Sequence, residues 1–305
     1  MHMRWWLLLM AGLVAGAQTP PASAPKLKFD VASVKPSDPK GGRPHSSMPL
    51  TAGERFTPND GLFTATQQPL IRYIAFAFDF DANPDPQLKA LPSWVNTERY
   101  DIEARASGPV TKDQMRQMVL SLLQDRFQLT FHYETRHASV YELVLAKPGK
   151  LGPQMRPHVD EGMPCDGTAP APAPAPAGGG RGGQRATPDG YPVGCGELMS
   201  LTPTLPGRWR LGGRNITMDF FMATLRGGME RPVVDRTGLK GRYDWVMEYV
   251  PDGSTDGQFG ANFQGDPDGP KMWTAIKEQL GLEFKPAKDD IRWLAFDHIA
   301  RPTSN

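Results

Sequence analysis

The chain has only two cysteines, almost no net charge, and no long apolar run after its first residues. Its 305 residues carry 34 basic and 33 acidic side chains. A dedicated nucleic-acid-binding protein shows a clustered excess of basic residues, so this balance argues against a nucleic-acid partner. A membrane-spanning helix needs about 20 consecutive apolar residues. We therefore expect no membrane span in the mature chain.

Residues 1–17 have the pattern of a signal peptide. An apolar core follows Arg4, and Ala15 and Ala17 form the A-x-A arrangement that signal peptidase recognises. We predict cleavage after Ala17 and an exported protein, either periplasmic or extracellular. The alternative is a membrane anchor, but the apolar core is well short of the length that spans a bilayer.

Cys165 and Cys195 bracket a tract of proline, alanine and glycine. In the oxidising compartment that an exported protein enters, an even cysteine count usually indicates a disulfide. We predict a bridge between the two, which would hold the ends of an insertion at 149–196. This composition buries too little apolar surface to offset the entropy of ordering, so we predict no structure for the insertion. Two free thiols and intermolecular bridges are the alternatives.

The motifs of common active sites are absent from the sequence. The six histidines include no H-E-x-x-H pair, no G-x-S-x-G elbow occurs, and no glycine-rich run has the setting of a phosphate-binding loop. His132, Glu134 and His137 would approach one another across a hairpin and bind a metal, but such residues are more often the solvated face of a strand. We therefore predict no catalytic residue and no cofactor.

One spacing resembles a metal site, and it is a weak calcium candidate. Pro84 stands where an EF-hand needs glycine, and Ala90 stands where it needs a bidentate glutamate. The pattern is therefore not an EF-hand, and the alternative is a polar turn that leaves a helix. The candidate ligands, with oxygen donors at alternate positions, are Asp79, Asp81, Asn83 and Asp85.

Apolar spacing predicts strands and a helix early in the chain. Val31 and Val34 mark a first strand, and Leu62 to Ala65 a second. Thr66 is then in position to cap a helix from Gln68 to Phe78, because the apolar residues of this segment recur three and four positions apart.

The most regular stretch follows. Thr111 and Gln114 form a capping box, and they begin a predicted helix from Lys112 to Asp125 with a methionine-rich apolar stripe. Phe127 to His132 then alternates as a strand does. Ser139 to Lys147 is predicted to return as its hairpin partner.

The same order of elements returns in the second half of the chain. A predicted helix from Met218 to Leu225 is capped by Thr217, and another from Lys271 to Leu280 is stopped by Gly281. The tripeptide Arg-Tyr-Asp occurs before the long helix in both halves, at 99–101 and 242–244. A run of matched elements in one order indicates an internal duplication.

From this repeat we predict an α+β fold of two related modules, each with a small, mostly antiparallel sheet and two helices. The order of elements is distantly similar to that of the short N-terminal domains of secretins and TonB-dependent receptors, a likeness that does not transmit function. The predicted plan is a signal peptide at 1–17, a linker at 18–27, a first module at 28–148, the insertion at 149–196 and a second module at 197–305.

Five segments of the sequence carry a likeness to known proteins: FDVASVKPS, LPSWVNTERYDIEARA, LLQDRFQLTFHYETRHASVYELVLAKPGKLGP, PVVDRTGLKGRYDW and EQLGLEFKPAKDDIRWLAFDHIARPTSN. Together they resemble the soil-associated family of secreted bacterial proteins, whose domain has no assigned function. The likeness covers roughly Lys28 to Asn305. It implies export and, in some relatives, fusion to membrane metallopeptidases of the antirepressor type. No catalytic residues are described for the family, so none is carried over.

We expect a non-enzymatic module that binds a protein or peptide partner of the cell envelope or secretome. No convergent polar cluster is marked in the sequence, and the edges of small sheets accept a further strand. Two alternatives remain: a wall- or polymer-acting hydrolase with a dispersed site, and a sensor domain for envelope stress or antibiotics.

Overall fold

The computed structural model describes residues 26–51, 56, 59–80, 87–160, 186–226, 229–251 and 264–302. The predicted signal peptide and Cys165 lie outside these ranges, so the cleavage site and the disulfide stay predictions. Within the described ranges the fold is mixed α+β, as predicted, and it has three mostly antiparallel sheets, one more than the two modules were expected to contribute. None of the described helices has the length and hydropathy of a membrane span.

The first module combines short strands with one long helix. Its helix α1 packs against α3, and Phe63, Tyr73 and Phe127 are fully buried between helices and sheet. The elements are β1 (Val31–Pro36), β2 (His45–Ser46), β3 (Leu62–Pro69), α1 (Leu70–Ala77), α2 (Trp94–Thr97), β4 (Arg99–Arg105), α3 (Lys112–Phe127) and β5 (Thr130–Leu145).

The second module repeats this plan. Its last helix continues from α5 into a wider π-helical turn, Ile276–Leu280, before the chain enters β11. The elements are β6 (Met155–Pro157), β7 (Leu198–Leu201), β8 (Trp209–Thr217), α4 (Met218–Arg226), β9 (Val233–Asp235), β10 (Arg242–Tyr249), α5 (Met272–Ala275) and β11 (Leu282–His298).

Sheet topology confirms the internal duplication. The first sheet has the strand order β1-β4-β3-β2 and the second has β6-β10-β8-β7. In each sheet, the strand before the first helix pairs with the strand after it, and the two earliest strands of the module form the edges. Each strand of the first sheet therefore has a counterpart in the second sheet. Because sequence identity between the modules is low, the sequence did not show this correspondence for the edge strands.

The hairpin predicted from Phe127–His132 and Ser139–Lys147 is wrong, and so is its expected repeat in the second module. β5 is one continuous strand of 16 residues and β11 one of 17 residues, and the two pair with each other antiparallel along nearly their whole length. The hairpin would have needed a turn near Glu134–Ala138, where the sequence has no glycine, proline or asparagine to favour one. We call the β5–β11 pair the ribbon.

The ribbon joins the two modules and carries a local two-fold symmetry. Equivalent residues of β5 and β11 are 153 positions apart, as 129 is from 282. By the same offset His137 corresponds to Asp290, and these two lie directly opposite each other in the ladder. The pseudo-two-fold axis therefore passes between them.

Each long strand contributes to both hydrophobic cores. Leu129, just before β5, lies in the first core, whereas Leu143 near the end of β5 lies in the second. β11 runs the other way, from Leu282 in the second core to Phe296 against the first. The two modules are therefore interlocked.

The predicted residues at three helix ends were confirmed. Thr111 and Gln114 form the capping box of α3, with Gln114 N donating to Thr111 Oγ1 at 3.2 Å. The hydroxyl of Thr217 caps α4 by accepting from Phe220 N at 3.2 Å. Gly281 ends the last helix in the left-handed region, at φ 72°.

The first predicted strand is present as β1, with Val34 buried and Val31 71% exposed on the opposite face. Two local predictions were wrong. Thr66 does not cap α1, because β3 continues through it to Pro69 and the helix begins at Leu70. The insertion at 149–196 was predicted to lack structure, but it contains β6, which pairs with β10.

Candidate functional site

The Arg-Tyr-Asp motif forms a structural clamp in the first module. Gln67 lies in a β-bulge of β3 with φ 58°, a backbone conformation that residues other than glycine rarely adopt. Asp101 Oδ1 accepts from Gln67 N at 2.8 Å, and Arg99 Nη1 donates to Gln67 O at 2.5 Å. Ser37 Oγ donates to the same carboxylate at 2.5 Å. The motif thus holds a strained bulge from both sides.

The second module contains the same clamp, with a histidine in place of the serine. Asn215, at φ 57°, donates its N–H to Asp244 Oδ1 at 3.0 Å, and Arg242 Nη1 donates to Asn215 O at 3.0 Å. His158 Nδ1 lies 2.6 Å from Asp244 Oδ1, and its Nε2 lies 3.0 Å from Asp160 Oδ1.

A buried histidine–aspartate pair is also a possible acid–base pair. However, carboxylates engage both ring nitrogens of His158, and Ser37 makes the equivalent contact in the first module. Asp244 is 1% exposed and is committed to the bulge. We therefore assign the pair to the clamp. The sequence showed the repeated tripeptide but did not indicate its role.

The structure separates the predicted metal-binding histidines. His132 and His137 lie five positions apart on one regular strand, so they point to opposite faces. Each ring instead contacts a carboxylate of β11: His132 Nδ1 is 2.8 Å from Asp297, which raises the pKa of His132, and His137 Nδ1 is 2.9 Å from Asp290. The described ranges contain no group of three side chains arranged to hold a metal.

The calcium candidate is only partly visible. Asp79 forms an ion pair with Arg116, with Nη2 and Oδ1 2.5 Å apart. The other three predicted ligands, Asp81, Asn83 and Asp85, lie outside the described residues. The calcium site therefore stays a prediction.

A cleft of about 330 Å³ lies across the ribbon, between the two modules. One wall comes from the segment after α1, the other from the segment that leads into β9, and the floor from both strands of the ribbon. Its apolar and aromatic side chains include Phe78, Phe80, Tyr133, Trp293 and Leu294. The mixture of aromatic surface and a few polar groups is typical of binding sites.

Phe78 anchors the wall of the cleft that comes from the first module. Its ring makes edge-to-face contacts with Phe131 of β5 and Phe296 of β11, at centroid distances of 4.8 and 5.5 Å. It also stacks on Phe80 at 6.1 Å. Such aromatic pairs are worth about 1 kcal/mol each beyond their buried area, so this wall is firmly attached to the ribbon.

Two arginines supply the charge of the cleft. The guanidinium of Arg292 lies 3.6 Å from the centroid of the Tyr133 ring, and that of Arg231 lies 5.3 Å from the centroid of Tyr141. Among the described residues, the cleft lining contains no acidic side chain. The cleft is therefore positively charged.

The two outer edges of the ribbon are related by the two-fold symmetry, but their backbone N–H groups have different hydrogen-bond partners at equivalent positions. On the edge of β5, Tyr141 N donates to Pro232 O at 2.8 Å, and β9 runs parallel to Tyr141–Leu143. The equivalent residue of β11 is Leu294, whose N–H donates instead to the side-chain Oε1 of Gln87 at 2.8 Å. Within the described ranges no strand pairs with this edge of β11.

A second hollow, of about 350 Å³, lies where β4 begins. Its charged side chains already have partners within the protein, and Arg99 is part of the clamp. Arg301 binds Glu98 through two nitrogens at 2.6 and 2.9 Å and lies over Trp94, and this hydrogen bonding lowers the pKa of Glu98. With its cation already paired, this hollow is a weaker candidate than the cleft.

The family model for DUF3738, described as a protein of unknown function, matches residues 71–299. The match covers well over half of the chain. The chain belongs to the DUF3738 family. The matched range contains the whole ribbon, both Arg-Tyr-Asp motifs and every cleft residue named above. No curated protein and no solved structure matches the chain.

Sequence reasoning missed the cleft because its residues come from segments that are far apart. Gln87, Tyr133, Arg231 and Arg292 meet only when β5 and β11 pair across about half the chain. The usable signal was the lack of turn residues in β5, which argues against a hairpin and for a long-range partner.

Proposed function

We propose that this DUF3738 protein is a non-enzymatic, exported binding module that accepts an extended segment of a partner protein in the cleft. The segment lies parallel to β11 and pairs with its outer edge beside Leu294. This is strand addition, in which main-chain hydrogen bonds provide affinity and side-chain pockets provide specificity.

The comparison of the two ribbon edges is the observation that carries the proposal. In the second module a three-residue strand, β9, fills the edge of β5. At the equivalent place on β11, the partner of Leu294 N–H among the described residues is the side-chain oxygen of Gln87. The N–H of Leu294 can exchange the side-chain oxygen of Gln87 for the carbonyl oxygen of an incoming strand at little cost, since one hydrogen bond replaces another.

The cleft also provides what a strand-like ligand needs beside that edge. Phe78 and Phe80 offer apolar surface on one side, and Pro232 and Val233 on the other. Side chains of an extended segment alternate between two faces, so every second residue would enter the cleft. The rest of the β11 edge is guarded, because Pro286 has no N–H and Asp290 N donates to the Asp289 carboxylate at 2.8 Å.

Backbone NMR with short peptides tests the proposal. The probes are synthetic peptides of about eight residues that alternate valine with aspartate, asparagine or lysine, long enough to span a typical strand. We expect at least one peptide to shift the amide signals of Leu294 and Phe296 and the side-chain amide of Gln87. The proposal is contradicted if no peptide shifts these signals, or if the shifts map to β1 or β7.

A variant of Gln87 sharpens this test. In Gln87→Ala the N–H of Leu294 has no internal partner, so a bound peptide supplies the missing acceptor. We expect peptide affinity to rise by up to about tenfold, the equivalent of one hydrogen bond. The matched control is Gln124→Ala on the exposed face of α3, which should leave affinity unchanged. Equal affinities of the two variants would count against pairing at this edge.

A further inference from the structure

We infer that the segment bound in the cleft is acidic, with carboxylates that Arg231 and Arg292 bind. This inference rests on the proposed function and specifies the chemistry of its ligand. It names two specificity-determining residues, one on the segment that leads into β9 and one on β11.

The stacking of Arg292 leaves its donors available. Its guanidinium lies 3.6 Å from the Tyr133 centroid, close enough for ring contact through the flat face of the group. The five N–H donors of arginine lie in the plane of the guanidinium. A face-on contact with the ring therefore holds the side chain in place and leaves the donors free to grip a carboxylate through two hydrogen bonds.

Arg231 lies on the wall of the cleft that leads into β9, whereas Arg292 lies on the ribbon. It lies 5.3 Å from the Tyr141 centroid and immediately precedes Pro232, whose carbonyl fixes the backbone here by accepting from Tyr141 N. Neither Arg231 nor Arg292 forms an ion pair within the described part of the chain.

Other arginines beside the ribbon are neutralised by the protein itself. Arg136 Nε lies 2.5 Å from Glu134 Oε1, although it also stacks on Trp293. Arg236 pairs with Asp289 and lies 3.7 Å from Glu142. Within the part of the chain that the structure describes, Arg231 and Arg292, which line the cleft, have no such partner. We therefore expect the ligand to supply the negative charge.

The same peptides measure this preference directly. Because the three sequences differ only in the alternate residue, their affinities isolate the charge of the ligand. We expect the aspartate peptide to bind at least about tenfold more tightly than the asparagine peptide, and the lysine peptide to bind most weakly, since like charges oppose association. Added salt should weaken the binding of the aspartate peptide and have little effect on the binding of the asparagine peptide.

Charge-removing variants identify the residues responsible. Arg231→Gln and Arg292→Gln should each remove most of the preference for aspartate, measured as the ratio of the affinities for the aspartate and asparagine peptides. The control is Lys40→Gln, which removes the same charge from an exposed loop. Thermal melting of each variant confirms that it is folded.

The outcomes separate the two proposals. Equal affinities for the aspartate and asparagine peptides, or arginine variants that behave as Lys40→Gln does, would overturn the acidic ligand and leave the peptide site intact. Absence of binding by every peptide would instead count against the proposed function itself.

Discussion

At the scale of single residues, the aspartates of the two Arg-Tyr-Asp motifs explain a feature that first resembles catalysis. Asp244 and His158 are nearly buried and hydrogen-bonded, as members of a catalytic pair would be. The duplicated fold provides an internal control, because Asp101 makes the equivalent contacts with a serine in the other module. What the two sites share is a strained bulge, so the aspartate stabilises the backbone.

We therefore expect Asp244→Ala to destabilise the protein by about 3 kcal/mol, because it leaves buried donors without an acceptor. His158→Ser, which copies the first module, should cost less. Urea unfolding measures both changes.

The control for the clamp is Asp125→Ala. Asp125 pairs with Lys28 at 2.7 Å, but both side chains are more than half exposed, so we expect a loss below about 1 kcal/mol. If Asp244→Ala cost no more than this control, the clamp would not have the structural role assigned to it.

At the scale of elements, the helix ends show how equivalent positions diverge. Gln128 and Gly281 are related by the 153-residue offset, and both end a helix with a positive φ, 52° and 72°. Gln128 is exposed, whereas a Cβ at Gly281 would collide with the backbone nitrogen of Gly152. Both positions therefore require a positive φ, but only at position 281 is there also no space for a side chain.

Exchanging these two residues tests that explanation. Gln128→Gly should stabilise the protein by about 0.5–1 kcal/mol, because glycine adopts this conformation without strain. Gly281→Gln should destabilise it by more than about 2 kcal/mol, through strain and overpacking. The measurement is the urea midpoint, and effects of equal size at the two sites would contradict the role of Gly152.

Elements with local causes were predictable from sequence. The capping box at Thr111, the stop at Gly281 and the buried stripe of α3 depend on residues a few positions apart. The ribbon was not predictable in the same way, because an alternating strand pattern does not specify its partner. The cleft depends on that pairing, so its residues carried no signal of their own in the sequence.

At the scale of the whole molecule, the ribbon determines what can fold alone. The end of β5 places Leu143, fully buried, in the second core, and the end of β11 packs Phe296 against the first. Neither module is complete without a strand of the other. The matched family range extends through both modules, which agrees with a single folding unit.

We expect residues 26–148 and residues 149–305, expressed separately, to be unfolded, and to regain structure when mixed. The full chain should unfold in one transition by circular dichroism and by tryptophan fluorescence. A separate half that melts cooperatively by itself would show that the modules are independent.

We propose that the outer edge of β11 accepts an extended, acidic segment. A structure of the complex with the aspartate peptide would show whether it does. We expect the peptide to run parallel to β11, with a carbonyl accepting from Leu294 N–H in place of Gln87 and with carboxylates at Arg231 and Arg292. A peptide bound elsewhere, or a Leu294 N–H still held by Gln87 in the complex, would contradict the claim.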